Sequence, residues 1–129
     1  MAVTVKKKKA TSKSIGKARL CINTTYNNTK ITLTTASGDT IAWRHGGCTQ
    51  KGSRKSTAHA AKEAATDLGK IAKERGVTSV VVILQGTGSG RDTSIQGFAS
   101  SATNVTISAI RDVTRSAHAG CRKRKKKRV

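Results

Sequence analysis

Two loops in this chain carry residue types that bind phosphate groups. The first, Gly86-Thr87-Gly88-Ser89-Gly90-Arg91, follows the longest apolar run and precedes a segment with helical spacing. Backbone N–H groups, a helix N-terminus and an arginine side chain together bind phosphate well. The loop lacks the GxGxxG dinucleotide fingerprint, and no Lys-Ser/Thr pair follows it. A phosphate of a nucleic-acid backbone therefore fits it better than a nucleotide, and a tight strand-to-helix turn is the alternative interpretation.

The second loop, residues 46–54, contains glycine, is basic and precedes a predicted helix. Gly47 and Gly52 have the GxxxxG spacing of a Walker A loop, but Ser53-Arg54 follows where that motif has Lys-Ser/Thr. The missing lysine argues against nucleotide hydrolysis. The segment nevertheless offers good phosphate donors, namely Lys51, Ser53, Arg54, Lys55 and Ser56.

Metal and disulfide chemistry have little support. The chain has three cysteines, an odd number without CxxC spacing, which is not the pattern of a disulfide scaffold. His118 and Cys121 form one close pair, and His45 stands three residues before Cys48. No second pair has the spacing of a zinc finger. We therefore predict no metal and no cofactor.

Nuclease chemistry would require paired carboxylates that hold divalent metal ions. The predicted first strand, residues 18–24, contains no acidic residue, and three of the six acids lie on one predicted helix, where they can pair with lysines. The negative charge of Asp92 can instead stabilise the N-terminus of its own helix. No serine or cysteine has a recognisable catalytic partner. We therefore do not expect an enzyme.

Charge is the strongest signal in the composition. The 129 residues include 26 Lys and Arg against 6 Asp and Glu, a net charge of +20. Nineteen of the basic residues lie in three acid-free segments, residues 1–19, 44–55 and 113–129. Such a charge repels itself unless a polyanion neutralises it, and RNA or DNA is the obvious candidate. With one Phe, one Tyr and one Trp, base stacking cannot be the main binding mode.

Other partners and compartments are less consistent with the sequence. An anionic membrane surface is the second polyanion, but no amphipathic or lipidation signal supports it. The longest apolar run has five residues, so no transmembrane helix is expected, and no apolar stretch of a signal peptide follows the basic N-terminus. We expect a reducing, intracellular compartment.

The elements that must position the loops change type along the chain. Three alternating segments, over residues 18–24, 31–34 and 40–43, predict an antiparallel meander. A helix capped by Ser56 or Thr57 then runs to about residue 75. In the strands, Leu20 and Ile22 alternate with Arg19 and Cys21, and Ile41 and Trp43 alternate with Thr40 and Ala42.

The second half predicts parallel strands. The run Val80–Leu84 is apolar throughout, which indicates a central parallel strand covered on both faces. A short helix over residues 93–102 and a fifth strand, Val105–Ile110, complete a right-handed βαβ unit. The prediction is an α/β sandwich with a mixed five-stranded sheet, residues 18–112, between a basic N-terminal arm, residues 1–17, and a basic C-terminal arm, residues 113–129.

The order and spacing of several segments resemble protein eleven of the small ribosomal subunit, of the bacterial or organellar type. The resemblance covers nearly the whole chain after the N-terminal arm. The segments that carry it are Asn27-Asn28-Thr29, Trp43, Lys51-Gly52-Ser53-Arg54-Lys55-Ser56-Thr57, Gly86-x-Gly88-x-Gly90-Arg91, Ile110-x-Asp112-x-Thr114, His118-x-Gly120-Cys121-Arg122 and the closing Lys127-Arg128-Val129.

This resemblance implies a ribonuclease-H-like three-layer α/β sandwich without catalytic acids, and a structural role in translation. It implies binding to small-subunit rRNA on the platform, beside neighbouring platform proteins, near the mRNA exit path and the Shine–Dalgarno cleft. No membrane and no homo-oligomer are expected, and the ribosome would be cytoplasmic, with an organellar one left open. The implied rRNA contacts are Arg44, Lys51, Gly52, Ser53, Arg54, Lys55, Ser56, Gly86, Gly88, Gly90, Arg91, His118, Arg122, Lys123, Arg124, Lys125, Lys126, Lys127 and Arg128.

The chain departs from the family pattern wherever the family has proline. It contains no proline. Thr87 and Ser89 stand at proline positions of the glycine loop, and Ala119 stands where the family has Asn before Gly. Compared with the family pattern, the glycine loop and the C-terminal arm lack the fixed φ angles of proline, and the C-terminal arm carries more positive charge. The proline positions of the C-terminal arm carry Arg115, Ala117, Lys123 and Arg124.

Two alternatives remain open beside a structural rRNA-binding protein. A free-standing DNA compactor would have the same charge without a single binding site. A metal-dependent nuclease on the same fold would need catalytic carboxylates, for which Asp92 and Asp112 are the candidates to test.

Overall fold

The computed structural model describes residues 14–129, so residues 1–13 of the predicted N-terminal arm lie outside the described residues. Strands alternate with helices only in the second half of the chain, as the sequence pattern indicates. The elements are β1 (Lys17–Thr24), β2 (Thr29–Thr35), β3 (Thr40–His45), two 3₁₀ turns (Gly46–Cys48 and Gly52–Ser56), α1 (Ala58–Glu74), β4 (Ser79–Gly86), α2 (Gly90–Ser101) and β5 (Thr106–Asp112).

The five strands form one mixed sheet in the order β3-β2-β1-β4-β5. The first three strands form an antiparallel meander, and β4 runs parallel to both β1 and β5. The predicted α/β class, the mixed five-stranded sheet and the parallel character of the apolar strand are therefore confirmed. The middle position of the sheet belongs to β1, with β4 beside it.

One face of the sheet carries the hydrophobic core. Leu20 and Ile22 of β1 are fully buried, as are Val80 and Val82 of β4, whereas the exposed Arg19 points to the other face. Period-two alternation produces this division, and the apolar side chains of α1 and α2 join the same cluster. The predicted faces of β1 are confirmed.

Both helices pack on this one face and against each other. Small residues allow the close approach: a Cβ on Gly97 of α2 would lie 2.5 Å from the Lys62 carbonyl oxygen of α1, and one on Gly69 would lie 1.8 Å from Ser101 Oγ. The described residues therefore form two layers, one sheet and one helix layer, and the expected third layer is not among them. The sequence pattern indicates both crossovers but carries no signal for which face each helix covers.

Two strands differ from their predicted burial. Val81 and Ile83 of β4 are half-buried rather than covered, because no helix lies on their side of the sheet in the described residues. In β3, Ile41 packs against the core while Trp43 is 58% exposed, so the two do not share one environment. A register shift between Leu33 and Thr34 interrupts the alternation there.

The helix boundaries follow local hydrogen bonding. Thr57, one of the two predicted caps, accepts a hydrogen bond from the Ala60 N–H at 3.3 Å. Gly76, at φ +66°, ends α1 as predicted, and the Val77 N–H donates to the Ala72 carbonyl at 3.1 Å. Helix α2 begins at Gly90, three residues before the predicted start.

Candidate nucleic-acid interface

One end of the sheet gathers both phosphate-binding loops and the root of the C-terminal arm. Strands β1, β4 and β5 are parallel, so their carboxyl ends meet at this end. Strand β3 also finishes here, because His45 pairs with Lys30 near the start of β2. The basic loop (residues 46–56), the glycine loop (residues 86–90) and the arm after Asp112 therefore leave the sheet together. We call this region the basic end.

The basic loop has a defined backbone. A Cβ on Gly46 would lie 2.3 Å from the Lys55 carbonyl oxygen, so the two 3₁₀ turns pack directly on each other. His45 Nδ1 accepts from the Gly47 N–H at 3.0 Å, and its ring stacks on Trp43 with centroids 5.7 Å apart. Gly52 adopts φ +68°, a left-handed conformation that glycine tolerates without strain. These constraints hold the basic side chains of the loop on a fixed scaffold.

The charged groups of the loop are available to a ligand. Lys51 and Arg54 are exposed and Lys55 is half-buried. None of the three has an ion-pair partner among residues 14–129. Their positive charge therefore remains uncompensated at the basic end. Arg44, at the end of β3, is half-buried and donates to the Trp43 carbonyl at 2.9 Å.

The glycine loop packs closely against the end of β1. A Cβ on Gly86, at φ +96°, would lie 1.8 Å from the Thr24 carbonyl oxygen, and one on Gly88 would lie 2.5 Å from the Thr25 carbonyl oxygen. The Gly88 N–H donates to Thr24 Oγ1 at 3.2 Å. These glycines are thus required by backbone proximity, which agrees with the tight-turn interpretation. Two loop N–H groups are engaged within the chain, since the Gly86 N–H donates to Thr114 Oγ1 at 3.3 Å.

A hydrogen bond connects the two loops. Ser89 Oγ donates to the Ser56 carbonyl oxygen at 3.3 Å. A Cβ on Gly90 would meet Thr29 Oγ1 at 2.3 Å and the Ala61 Cβ at 2.8 Å, so the start of α2 also lies against β2 and α1. The residues predicted in separate stretches of the chain, 51–56 and 86–91, are therefore brought together.

Arg91 is partly occupied by contacts inside the chain. One guanidinium nitrogen donates to the Gly86 carbonyl oxygen at 2.9 Å, and another pairs with the Asp112 carboxylate. The side chain is 26% exposed. A guanidinium has five N–H donors, so donors remain for an external phosphate.

Asp112 also fixes the direction in which the C-terminal arm leaves the sheet. Its carboxylate accepts from the Thr114 N–H at 2.9 Å and from Thr114 Oγ1 at 2.5 Å. The Thr114 hydroxyl and Arg91 lower the pKa of Asp112 from 3.8 to about 2. The Val113 N–H donates to the Leu84 carbonyl at 2.9 Å. The sequence pattern gave Asp112 and Thr114 no structural role, although a short acid and a hydroxyl at the end of a strand are a recognisable turn signal.

Beyond Thr114 the arm is exposed throughout. Ala119 adopts φ +56°, in the left-handed region that Asn occupies more readily than Ala. This is the position at which the chain has Ala where the resemblance predicts Asn. The arm carries the remaining predicted contacts without intramolecular ion pairs among the described residues; these are His118, Arg122, Lys123, Arg124, Lys125, Lys126, Lys127 and Arg128.

A concavity with a volume of about 560 Å³ lies away from the basic end, on the outer side of α1. It contains Glu63 and Asp67, which pair with His59 and Lys70 at 3.2 Å each. The two carboxylates offset the charges of Lys62 and Lys70 in the same lining, so this groove lacks the uncompensated positive charge of the basic end. The predicted pairing of acids with lysines on this helix holds for Asp67 and Lys70.

Residues 14–129 contain no cluster of three or more His, Cys, Asp or Glu side chains that could hold a metal ion. Asp112, one candidate for nuclease chemistry, is engaged by Arg91 and Thr114. All three cysteines are free thiols. Among the described residues, no helix is long and apolar enough to cross a membrane.

The fold and the uncompensated charge at one end of the sheet define a basic α/β protein of the nucleic-acid-binding class. The sequence profile of ribosomal protein S11 matches residues 16–128. The chain is 45% identical over 118 residues to the small ribosomal subunit protein uS11 of Bradyrhizobium sp. (strain ORS 278), covering 91% of this chain and 90% of the relative. The uS11 proteins of Rhodopseudomonas palustris (strain BisB18) and Nitrobacter hamburgensis are equally similar, at 45% identity over 91% of this chain and 90% and 89% of their own lengths.

The chain belongs to the ribosomal protein S11 family. It is a structural, RNA-binding constituent of the small ribosomal subunit and not an enzyme. Its partners are rRNA and other ribosomal proteins, and it is a component of the ribosome.

Proposed function

We propose that the chain binds small-subunit rRNA on the platform through its basic end. The observation that carries this proposal is the convergence of three elements at one end of the sheet: the basic loop, the glycine loop and the root of the C-terminal arm. Phosphate contacts orient a protein on RNA without reading sequence. A rigid group of donors followed by an exposed basic arm suits a folded rRNA surface.

The proposed contacts divide into two kinds. Lys51, Arg54 and Lys55 are on a scaffold of fixed backbone and would bind phosphates in set positions. The arm forms no helix or strand and is exposed throughout, so it would follow an RNA groove. The full set of proposed contacts is Arg44, Lys51, Gly52, Ser53, Arg54, Lys55, Ser56, Gly86, Gly88, Gly90, Arg91, His118, Arg122, Lys123, Arg124, Lys125, Lys126, Lys127 and Arg128.

The finer placement is also part of the proposal. The chain lies near the mRNA exit path and the Shine–Dalgarno cleft, beside neighbouring platform proteins, as one copy per subunit in a cytoplasmic ribosome. Residues 18–112 act as the rRNA-binding body, and residues 1–17 and 113–129 act as arms. The resemblance of the motifs to the family supports this placement. The uneven distribution of basic residues along the sequence supports the division into one body and two arms.

Incorporation into small subunits tests the proposal. The tagged chain is expressed in cells of one of the relatives, and ribosomal particles are separated on high-salt gradients. We expect the chain to sediment with small subunits, because an ordered rRNA site survives salt that removes non-specific binding. Crosslinks from Lys51 and Lys55 are expected to map to platform rRNA.

Release of the chain from small subunits at high salt, with uniform binding to unrelated RNA and DNA, would overturn the proposal in favour of a non-specific nucleic-acid compactor. The control is the same chain with Lys62, Lys70 and Lys73 of α1 changed to alanine. This variant removes three positive charges outside the basic end, and we expect it to be incorporated normally.

A further inference from the structure

The face of the sheet opposite the helices carries no covering element among residues 14–129. One row crosses all five strands on this side, because the paired positions are Trp43, Thr32, Cys21, Ile83 and Arg111. Neither helix contributes to this side, since both belong to the core cluster on the other face. We call this side the open face.

The centre of the open face is apolar. Ile83, Val81, Cys21 and Ala109 lie on the two central strands and on β5, and each is half-buried rather than covered. Val81 pairs with Ala109, and Cys21 with Ile83, so the four form one patch. Trp43, 58% exposed, extends the patch toward β3. A strand that is apolar on both faces normally has both faces covered, and residues 14–129 leave the side of Val81 and Ile83 without such a cover.

The edge of this patch is positively charged. Arg19 lies on β1, Lys30 on β2 and Arg111 on β5, and all three are exposed. None of them forms an ion pair among the described residues, and no strand residue on this face is acidic. The complementary surface would therefore carry apolar side chains in its centre and carboxylates around them.

We propose that the open face is a docking surface for a neighbouring ribosomal protein, which contributes a short segment with apolar side chains flanked by carboxylates. This inference rests on the proposed function only in that the partner is met inside the small subunit. RNA fits the surface less well, because its phosphates would match the three basic side chains but would bury Val81 and Ile83 against charge.

The dimensions of the open face suit a segment better than a whole domain. Five strands about 4.8 Å apart span about 19 Å across the sheet. Three rows of outward residues about 6.8 Å apart add about 14 Å along the strands. The area enclosed by these two lengths is below the roughly 800 Å² per partner of a standard protein interface. A peptide tail or one strand of the partner would therefore cover the open face.

Cysteine labelling tests the docking surface directly, because Cys21 lies at the centre of the open face. The changes Cys48→Ser and Cys121→Ser leave Cys21 as the only thiol of the chain. Its reaction with iodoacetamide is measured in the free chain, in the chain bound to small-subunit rRNA alone, and in subunits reassembled with all other small-subunit proteins. A second variant adds Asn23→Cys, which places an exposed thiol on the same face.

We expect both thiols to react in the free chain and on rRNA alone, and to react about tenfold more slowly in the complete subunit, because a packed interface excludes solvent. Protection by rRNA alone would assign the face to RNA. Full reactivity in the complete subunit would show that nothing docks there. Either result overturns the inference while the proposed function stands, whereas failure of the chain to enter the subunit would count against the proposed function itself.

The charge of the partner is tested by Arg19→Glu with Arg111→Glu. We expect this double variant to bind rRNA alone within about twofold of the original chain and to lose the protection of Asn23→Cys in the complete subunit, since like charges across an interface repel. The matched control is Lys62→Glu with Lys73→Glu on α1, which should keep that protection. Equal protection in both double variants would contradict an acidic partner.

Discussion

Arg91 and Asp112 join the first turn of α2 to the last residue of β5 through an ion pair. The same arginine donates to the Gly86 carbonyl, and the same carboxylate accepts from Thr114. The glycine loop, the helix that follows it and the root of the C-terminal arm are thereby held in one arrangement. The basic end is ordered by contacts that belong to the protein alone.

The first prediction concerns the pH dependence of this arrangement. The pKa of Asp112 falls from 3.8 to about 2 through the Thr114 hydroxyl and Arg91. A lowered pKa in the folded state means that the stabilisation is complete above the unfolded value and is lost as the pH falls from about 4 to about 2. We therefore expect Asp112→Asn to lower the melting temperature at pH 6 and to have a much smaller effect at pH 2, as measured by thermal unfolding.

Glu74→Gln is the control for this series, because Glu74 is exposed at the end of α1 and its replacement removes the same charge. The melting temperature of this variant should follow that of the original chain at pH 6. A difference between Asp112→Asn and the original chain that persists unchanged at pH 2 would exclude ionisation of Asp112 as its cause.

The second prediction concerns the basic loop. Changing Lys51, Arg54 and Lys55 to alanine should weaken rRNA binding and lower the slope of log affinity against log salt by about 0.7–0.9 for each phosphate that the loop no longer neutralises. Filter binding from low to high salt measures both quantities. The α1 variant with Lys62, Lys70 and Lys73 changed to alanine should retain the slope. Circular dichroism of both variants should match the original chain, and a loss of helical signal in the loop variant would show that the loop is structural.

The third prediction concerns Ala119. Its φ of +56° costs an alanine about 1 kcal/mol relative to a residue that accepts the left-handed region. Ala119→Asn should therefore favour the observed bend of the arm and raise rRNA affinity up to about fivefold. Ala117→Asn is the matched control, because it adds the same side chain at an exposed position without positive φ. Equal affinities of the two variants would show that this bend is absent from the bound arm.

The fourth prediction concerns the close packing between the helices. A methyl group at Gly97 would lie 2.5 Å from the Lys62 carbonyl, which is backbone and cannot rotate away. Gly97→Ala should reduce the free energy of unfolding by about 1 kcal/mol or more, because overpacking outweighs the gain in helix propensity. Urea unfolding measures it. Gln96→Ala, at an exposed position of the same helix, should be neutral or stabilising, and equal stability of the two variants would contradict the tight packing.

Much of the fold follows from local patterns in the sequence. Alternation over residues 18–24 predicts both the strand and its inward face, and the apolar run of β4 predicts a strand with parallel neighbours. The number of layers does not follow, since it depends on how Gly69 and Gly97 pack against the opposite helix, between residues far apart in the chain. Because the sequence does not indicate which face of the sheet the helices cover, it predicts a cover over Val81 and Ile83 that the described residues do not supply.

The candidate site could be predicted in part. The donors Lys51, Arg54 and Lys55 were indicated by composition and by the family motif, and the exposure of Lys51 and Arg54 agrees with a binding role. The engagement of Arg91 with Asp112 was not indicated, because an ion pair between residues 21 positions apart in sequence depends on the register of β5 with β4.

The positions at which the chain enters and leaves the sheet have a consequence for avidity. The chain enters at Lys17, at one end of β1, and leaves after Asp112, at the opposite end of β5, and the two strands run in the same direction. A strand of eight residues is about 26 Å long. The two proposed arms are thus attached at opposite ends of the sheet, and under the proposed function the folded body between the attachment points would set the distance between two contacts on RNA. Binding at one end would raise the effective concentration of the other only where the RNA supplies both contacts at that distance, which would favour RNA that is already folded.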